Sequence, residues 1–223
     1  MKSYKRMMGS LILGSCFLLM TSQAYAVSIG FTKITNNGNT NVGSQLSVDV
    51  TAGAGGTVDF KFSNNVGTAS SITDIYFDDG TLLAIASITD SGAGVAFDDP
   101  ATPGNLPGGN NADPDFETTQ RFGNILSADS NSPVSANGVN TKFEWVNINF
   151  TLQGGQTFAD TIAALTDGSL RIGLHVQAIG TTGGSDSYVN KPVPEPTTLL
   201  LSAIGLAGVV GYSLRRQRKG VNG

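Results

Sequence analysis

The residue types that do chemistry are scarce in this chain of 223 residues, and their spacing narrows what they could do. The single histidine, His175, lies between Gly173 and Gln177 in a run that alternates apolar and polar residues. A Ser-His-Asp triad would have to use it, yet no Gly-x-Ser-x-Gly turn exists to present a nucleophile. The reading favoured for His175 is a structural histidine on the polar face of a strand. The single cysteine, Cys16, sits inside an apolar run near the start, so the rest of the chain has neither a Cys-His nucleophile nor the ligands of a histidine-based zinc site. Carboxylates are plentiful. Asp78-Asp79 and Asp98-Asp99 are adjacent, and Asp113, Asp115 and Glu117 alternate. Glycoside hydrolysis needs two carboxylates at a set separation, which acidic loops supply only by chance. Hard oxygen ligands at i, i+2, i+4 suit calcium, making Asp113, Asp115 and Glu117 the candidate metal ligands. They lack the following glycine and distal glutamate of an EF-hand loop, so a solvated acidic loop is the favoured reading. Trp145, with Tyr76 and Tyr188, could stack on a sugar ring, although a core tryptophan is the commoner outcome and is the one expected here.

Charge narrows the partners. The chain carries a formal net charge of -4, but Lys2, Lys5 and Arg6 open it and Arg215, Arg216, Arg218 and Lys219 close it. Between residues 27 and 193 six basic residues stand against sixteen acidic ones, a local net charge of -10. Nucleic acid would be repelled. No phosphate loop or dinucleotide fingerprint occurs.

The two ends read as addresses. Residues 1–26 combine a basic start, an apolar run of about ten residues, too short to span a bilayer, and Ala24-Tyr25-Ala26, the small-x-small pattern that signal peptidase accepts. Cleavage after Ala26 leaves a mature chain without cysteine and therefore without disulfides. At the other end, residues 197–214 are free of charge and are followed at once by Arg215 and Arg216. Eighteen residues at 1.5 Å each cover about 27 Å, enough for a transmembrane helix. The basic cluster keeps its own side cytoplasmic and places the body across the inner membrane.

Directly before that span stand Pro194, Glu195 and Pro196, which deny the local chain a helix. The sequence Pro-Glu-Pro, apolar helix and basic tail resembles the PEP-CTERM sorting signal. The resemblance implies processing by exosortase, which removes a temporary anchor, and a cell-surface or biofilm-matrix destination. Segments between about residues 70 and 190, such as Asn105-Leu106-Pro107-Gly108-Gly109-Asn110-Asn111, also resemble stretches that recur in PEP-CTERM bodies. They imply one continuous domain and no particular chemistry.

The body must position whatever the exported protein uses. Strict alternation predicts strands at 45–51, 58–62 and 170–178, and further strands at 72–77 and 82–88 with Asp78-Asp79-Gly80 as a tight turn between them. Residues 142–152 form another strand whose apolar parity changes, which predicts a bulge near Trp145–Val146 or cover on both faces. A capping box at Thr157–Asp160, an apolar face of Phe158, Ile162 and Leu165, and Gly168 as a stop predict one short helix. Residues 98–114 and 127–140 lack periodicity and read as long loops. The expected fold is therefore mainly β: a single antiparallel β-sandwich, jelly-roll-like, with one short helix, between an N-terminal signal helix and a C-terminal transmembrane helix. Three regions follow: a signal peptide at 1–26, an exported domain at 27–190 and a sorting signal at 191–223. The expected function is a non-enzymatic surface or matrix protein without a cofactor, handled by signal peptidase and exosortase; the alternative is a carbohydrate-binding module that holds extracellular polysaccharide.

Overall fold

The computed structural model describes residues 26–79, 82–121 and 124–192. The expected signal helix and transmembrane helix lie outside these residues; among the described residues no helix is long and apolar enough to cross a membrane. Twelve strands form in order: β1 (Ala26–Lys33), β2 (Leu46–Ala52), β3 (Thr57–Asn64), β4 (Ser71–Asp78), β5 (Leu83–Asp90), β6 (Phe97–Asp98), β7 (Gln120–Arg121), β8 (Asn124–Ile125), β9 (Ser127–Ser130), β10 (Trp145–Leu152), β11 (Arg171–Ile179) and β12 (Gly184–Asn190). Among the described residues two α-helices join them, α1 (Val134–Asn137) and α2 (Phe158–Asp167).

The mainly β, antiparallel expectation is met by ten strands in one sheet, ordered β5-β10-β3-β2-β1-β12-β11-β4-β9-β6, which nearly closes into a barrel. β1 is the bend. Its first half pairs with β2, from Ala26 opposite Thr51 to Gly30 opposite Ser47, and its second half pairs with β12, from Phe31 opposite Asn190 to Lys33 opposite Tyr188. One half, β5-β10-β3-β2-β1, thereby folds over to face the other, β1-β12-β11-β4-β9-β6.

Alternation puts Val48, Val50, Val58, Phe60, Phe62, Val146, Ile148 and Phe150 on the inner side of the first half, all fully buried. Ile75, Phe77, Ile172, Leu174 and Val176 meet them from the second half. Phe77 is the hub: its ring lies edge-on to Phe60 at 5.4 Å, Phe62 at 6.1 Å and Phe150 at 4.6 Å. Such edge-on pairs add about 0.5–1.5 kcal/mol each to the burial itself. One end of the interior is polar, because alternation carries Lys33 and Asp186 inward beside Phe31 and Tyr188. Their ion pair spans 2.9 Å, with the Asp186 side chain fully buried.

α2 forms as its sequence signals. Thr157 and Asp160 make a complete capping box, Gly168 ends the helix at φ 81°, and Leu165 is buried while Phe158 and Ile162 pack against the core. Three expectations change. Strands 72–77 and 82–88 exist as β4 and β5, but they do not pair with each other: β4 lies beside β11 and β5 beside β10. The chain crosses from one half to the other there, with Asp79 accepting from the Leu83 backbone N–H at 2.6 Å. β10 begins at Trp145, so the apparent parity change is the strand start, and Phe143 precedes it with 81% exposure. The register irregularity on this strand sits instead opposite β5, between Asn149 and Phe150. Finally, residues 127–140 are not a loop throughout, since they hold β9 and α1.

Candidate functional site

The outer faces of the two halves differ, and that difference locates the candidate site. Over the second half runs a strap, residues 98–118. Its path crosses four strands. The Ala101 and Thr102 N–H groups donate to Ser127 Oγ at 3.0 Å and Asp129 Oδ2 at 3.1 Å on β9. Tyr76 of β4 donates its hydroxyl to the Pro103 carbonyl at 3.0 Å, and Ser187 of β12 donates to Pro107 at 2.6 Å. At β11 the strap needs a residue without a side chain: a Cβ on Gly173 would lie 2.8 Å from Leu106 Cδ2 and 3.0 Å from Phe116 Cζ. Leu106, Phe116, Ala101, Tyr76 and Val189 make a second small core between strap and sheet. The far end is clamped by Arg171, whose guanidinium bonds Asp78 and donates to the Pro114 and Asp115 carbonyls.

That clamp decides the placement of the acidic triplet. The side chains of Asp113, Asp115 and Glu117 are exposed while their stretch of backbone is held by Arg171 and, through the Glu117 N–H, by Asp78. Among the described residues no group of three His, Cys, Asp or Glu side chains converges to hold a metal ion. His175 lies at the edge of the strap with Nδ1 3.0 Å from Asp74 Oδ2, an oxygen that also accepts from Thr73 Oγ1 at 2.7 Å. The strap's cover moves nearby acids. Burial, then the charges of Asp74 and Asp129, push the Tyr76 phenol far above its ordinary value. Burial also raises Asp129, partly countered by the Thr102 N–H. At the polar end of the interior, burial pushes Asp186 up, but the Lys33 ammonium, the Asn37 N–H and the Thr35 hydroxyl together hold it below the usual carboxylate range.

Among the described residues no strap crosses the outer face of the first half. Register aligns its outward side chains in rows that run across the strands. Thr51, Asp59, Asn149 and Ser87 form one row; Asp49, Lys61, Asn147 and Thr89 form the next; Ser47, Ser63 and Trp145 form a third. Strand spacing sets about 4.8 Å between neighbours in a row. Asp59 Oδ1 accepts from Asn147 at 2.8 Å and Asn149 at 2.9 Å, which fixes both amides. Trp145, expected in the core, is half-exposed here, because its parity is that of Asn147 and Asn149 and opposite to Val146 and Ile148. Lys61 Nζ sits 4.7 Å from the centre of the indole. Asp49 is exposed and makes no ion pair with the described residues.

Of the processing residues, Ala26 is the first residue of β1 and pairs with Thr51. Ala24, Pro194, Glu195, Pro196, Arg215 and Arg216 lie outside the described residues. The described chain ends beside β1, where the Lys191 N–H donates to the Gly30 carbonyl at 2.9 Å and β12 runs toward the Ala26 end. A pocket of about 460 Å³ opens there, between the end of α2, residues 111–114 and Lys191-Pro192. Trp145 stands at the end of the first half opposite Ala26, since Trp145 aligns with Ser63 and Ser47 whereas Ala26 aligns with Thr51 and Asp59, and Gly30, the partner of Lys191, is level with the Trp145 row. Sequence reasoning singled out Trp145 but missed Asp49, Asp59, Lys61, Asn147 and Asn149. Alternation with Val, Phe and Ile marked each as outward, and only the register of three strands, β2, β3 and β10, shows that they share a face.

Comparison with known proteins adds one finding: residues 192–218 match the PEP-CTERM protein-sorting motif. No curated protein and no solved structure matches the chain.

Proposed function

We propose that the body of this protein is a non-enzymatic adhesive component that holds extracellular polysaccharide, the PEP-CTERM sorting motif at residues 192–218 implying export with transient membrane anchoring and processing by exosortase. The observation that carries this reading is Trp145 on the open outer face, in register with polar side chains that can bond hydroxyl groups. Aromatic rings with a few placed polar groups suit sugar rings, which have an apolar face and a hydroxyl rim. In this account the two facing halves act as the layers of a flattened sandwich, the Asp113–Glu117 loop is solvated surface, and no cofactor is required.

The test is affinity electrophoresis of the mature protein through gels containing polysaccharide from the producing cells. We expect the wild-type protein to be retarded and Trp145→Ala to run as in a blank gel. Equal retardation of both proteins would overturn the assignment of this face.

A further inference from the structure

We infer that the open face takes an extended β-linked glycan bearing free amino groups, laid across the strands with about one ring per strand. This rests on the adhesive reading above and names its ligand. Three observations carry it. First, the rows are straight and evenly spaced. Outward groups recur at the strand spacing of about 4.8 Å, close to the advance of one ring along an extended β-linked chain, so Asp49, Lys61, Asn147 and Thr89 meet successive rings rather than one. Second, the face already holds an ammonium. Lys61 Nζ stands over the Trp145 indole at 4.7 Å, so the π face of this ring binds a primary ammonium, and one carried by a ligand would take the place of Lys61. An amino sugar presents the same group.

Third, the charges are complementary. Asp49 is exposed and makes no ion pair with the described residues, and Asp59 lies diagonally beside it across β2 and β3 with Oδ1 fixed by two amides. The body around them has a net charge of -10 between residues 27 and 193. An anionic glycan would be repelled from that body and a cationic one drawn to it. Ammonium groups on the polymer would bond the carboxylates of Asp49 and Asp59, and the charge-assisted hydrogen bonds formed there exceed those to a neutral hydroxyl.

The experiment compares retention of the mature protein in gels containing glycol chitosan, its fully N-acetylated counterpart glycol chitin, or α-linked dextran. General attraction of an acidic protein to a polycation is controlled with Asp113→Asn/Asp115→Asn, which removes the same charge from exposed residues away from the face. We expect retention by glycol chitosan above glycol chitin and none by dextran. Asp49→Asn/Asp59→Asn should weaken chitosan retention about tenfold, the worth of one charge-assisted hydrogen bond, while the control pair changes it by less than about twofold. Equal loss in both pairs, or retention by glycol chitin that matches glycol chitosan, would overturn the amino-glycan assignment; Trp145-dependent retention in either case leaves the adhesive reading standing. Retention by dextran equal to that by glycol chitosan would overturn the extended β-linked geometry. No retention by any of the three, with Trp145→Ala running like wild type in the gels of native polysaccharide, would remove both readings.

Discussion

The first half of the sheet, β5-β10-β3-β2-β1, and the second, β1-β12-β11-β4-β9-β6, present equally apolar inner sides but opposite outer ones. On β10 every second residue returns to the surface, from Trp145 through Asn147 and Asn149 to Thr151. On β4 seven consecutive residues, Ser71 to Phe77, are buried. The difference lies in what covers them. The strap brings Ala101, Leu106 and Phe116 over Tyr76, Gly173 and Val189, and its backbone satisfies the hydroxyls of Tyr76 and Ser187. A face so closed is scaffold, and its polar groups are occupied in holding the strap. On the open face Asp59, Asn147 and Asn149 bond one another and Lys61 lies over the Trp145 indole, with no strap of described residues above them and with Asp49 exposed.

Substitutions can break or sharpen this contrast. The largest effect belongs to the interior that both halves share. Phe77→Ala should cost about 3–5 kcal/mol by chemical denaturation, since it removes a buried ring that touches three others and leaves a cavity. A loss below about 1 kcal/mol would mean that the halves do not face each other as described.

Next comes the buried pair at the polar end. Asp186→Ala should cost roughly 3 kcal/mol, because Lys33 would be left partly buried without its partner. The same pair predicts an acid limb. Asp186 is held below its unfolded value, so its contribution is fully present above the ordinary carboxylate pKa of about 3.9 and is lost as pH falls through the lower folded value. Wild type should therefore lose stability below about pH 4 more steeply than Asp186→Ala; parallel pH profiles would contradict the buried pair.

A smaller effect probes the strap. Gly173→Ala should destabilise by about 1–3 kcal/mol through the crowding of Leu106 and Phe116. Adding Leu106→Ala should relieve part of that loss, giving a double mutant more stable than the sum of the single changes. Simple additivity would show that the strap does not rest on Gly173.

The smallest effect should appear on the open face. Trp145→Ala should change stability by no more than about 1 kcal/mol, far from the 3–5 kcal/mol of a buried aromatic, because only half-exposed contact and one cation–π interaction are lost. Its consequence should lie in polysaccharide retention. Unfolding as severe as that of Phe77→Ala would make Trp145 a core residue.

Much of this molecule was legible before its fold. Helix α2, with its capping box, its Leu165 face and its Gly168 stop, depends on contacts three to seven residues apart, and local pattern suffices for those. β2, β3 and β11 were marked by alternation, because a strand with one wet face writes that period into the chain. The processing signal was legible for a related reason: its parts are contiguous, and the match over residues 192–218 bears this out.

Partners remote in the chain were hidden. Residues 98–118 have no period, since the strap follows the sheet beneath it rather than a helix or strand of its own, so its apolar anchors Leu106 and Phe116 looked like incidents in a polar loop. The turn at Asp78-Asp79-Gly80 had hairpin composition, but β10 and β11 compete for the strands on either side and separate them. Trp145 shows the limit most plainly: the residues before it blurred the parity, and the side it faces depended on where β10 begins against Ser63. By itself the sequence determined the sorting motif, the acidity of the body, the mainly β class and the capped helix, all of which rest on composition or short-range spacing. The tertiary structure decided which outer face is covered and which is open, because that depends on register between strands up to about 160 residues apart, where a shift of one residue turns every side chain to the other side.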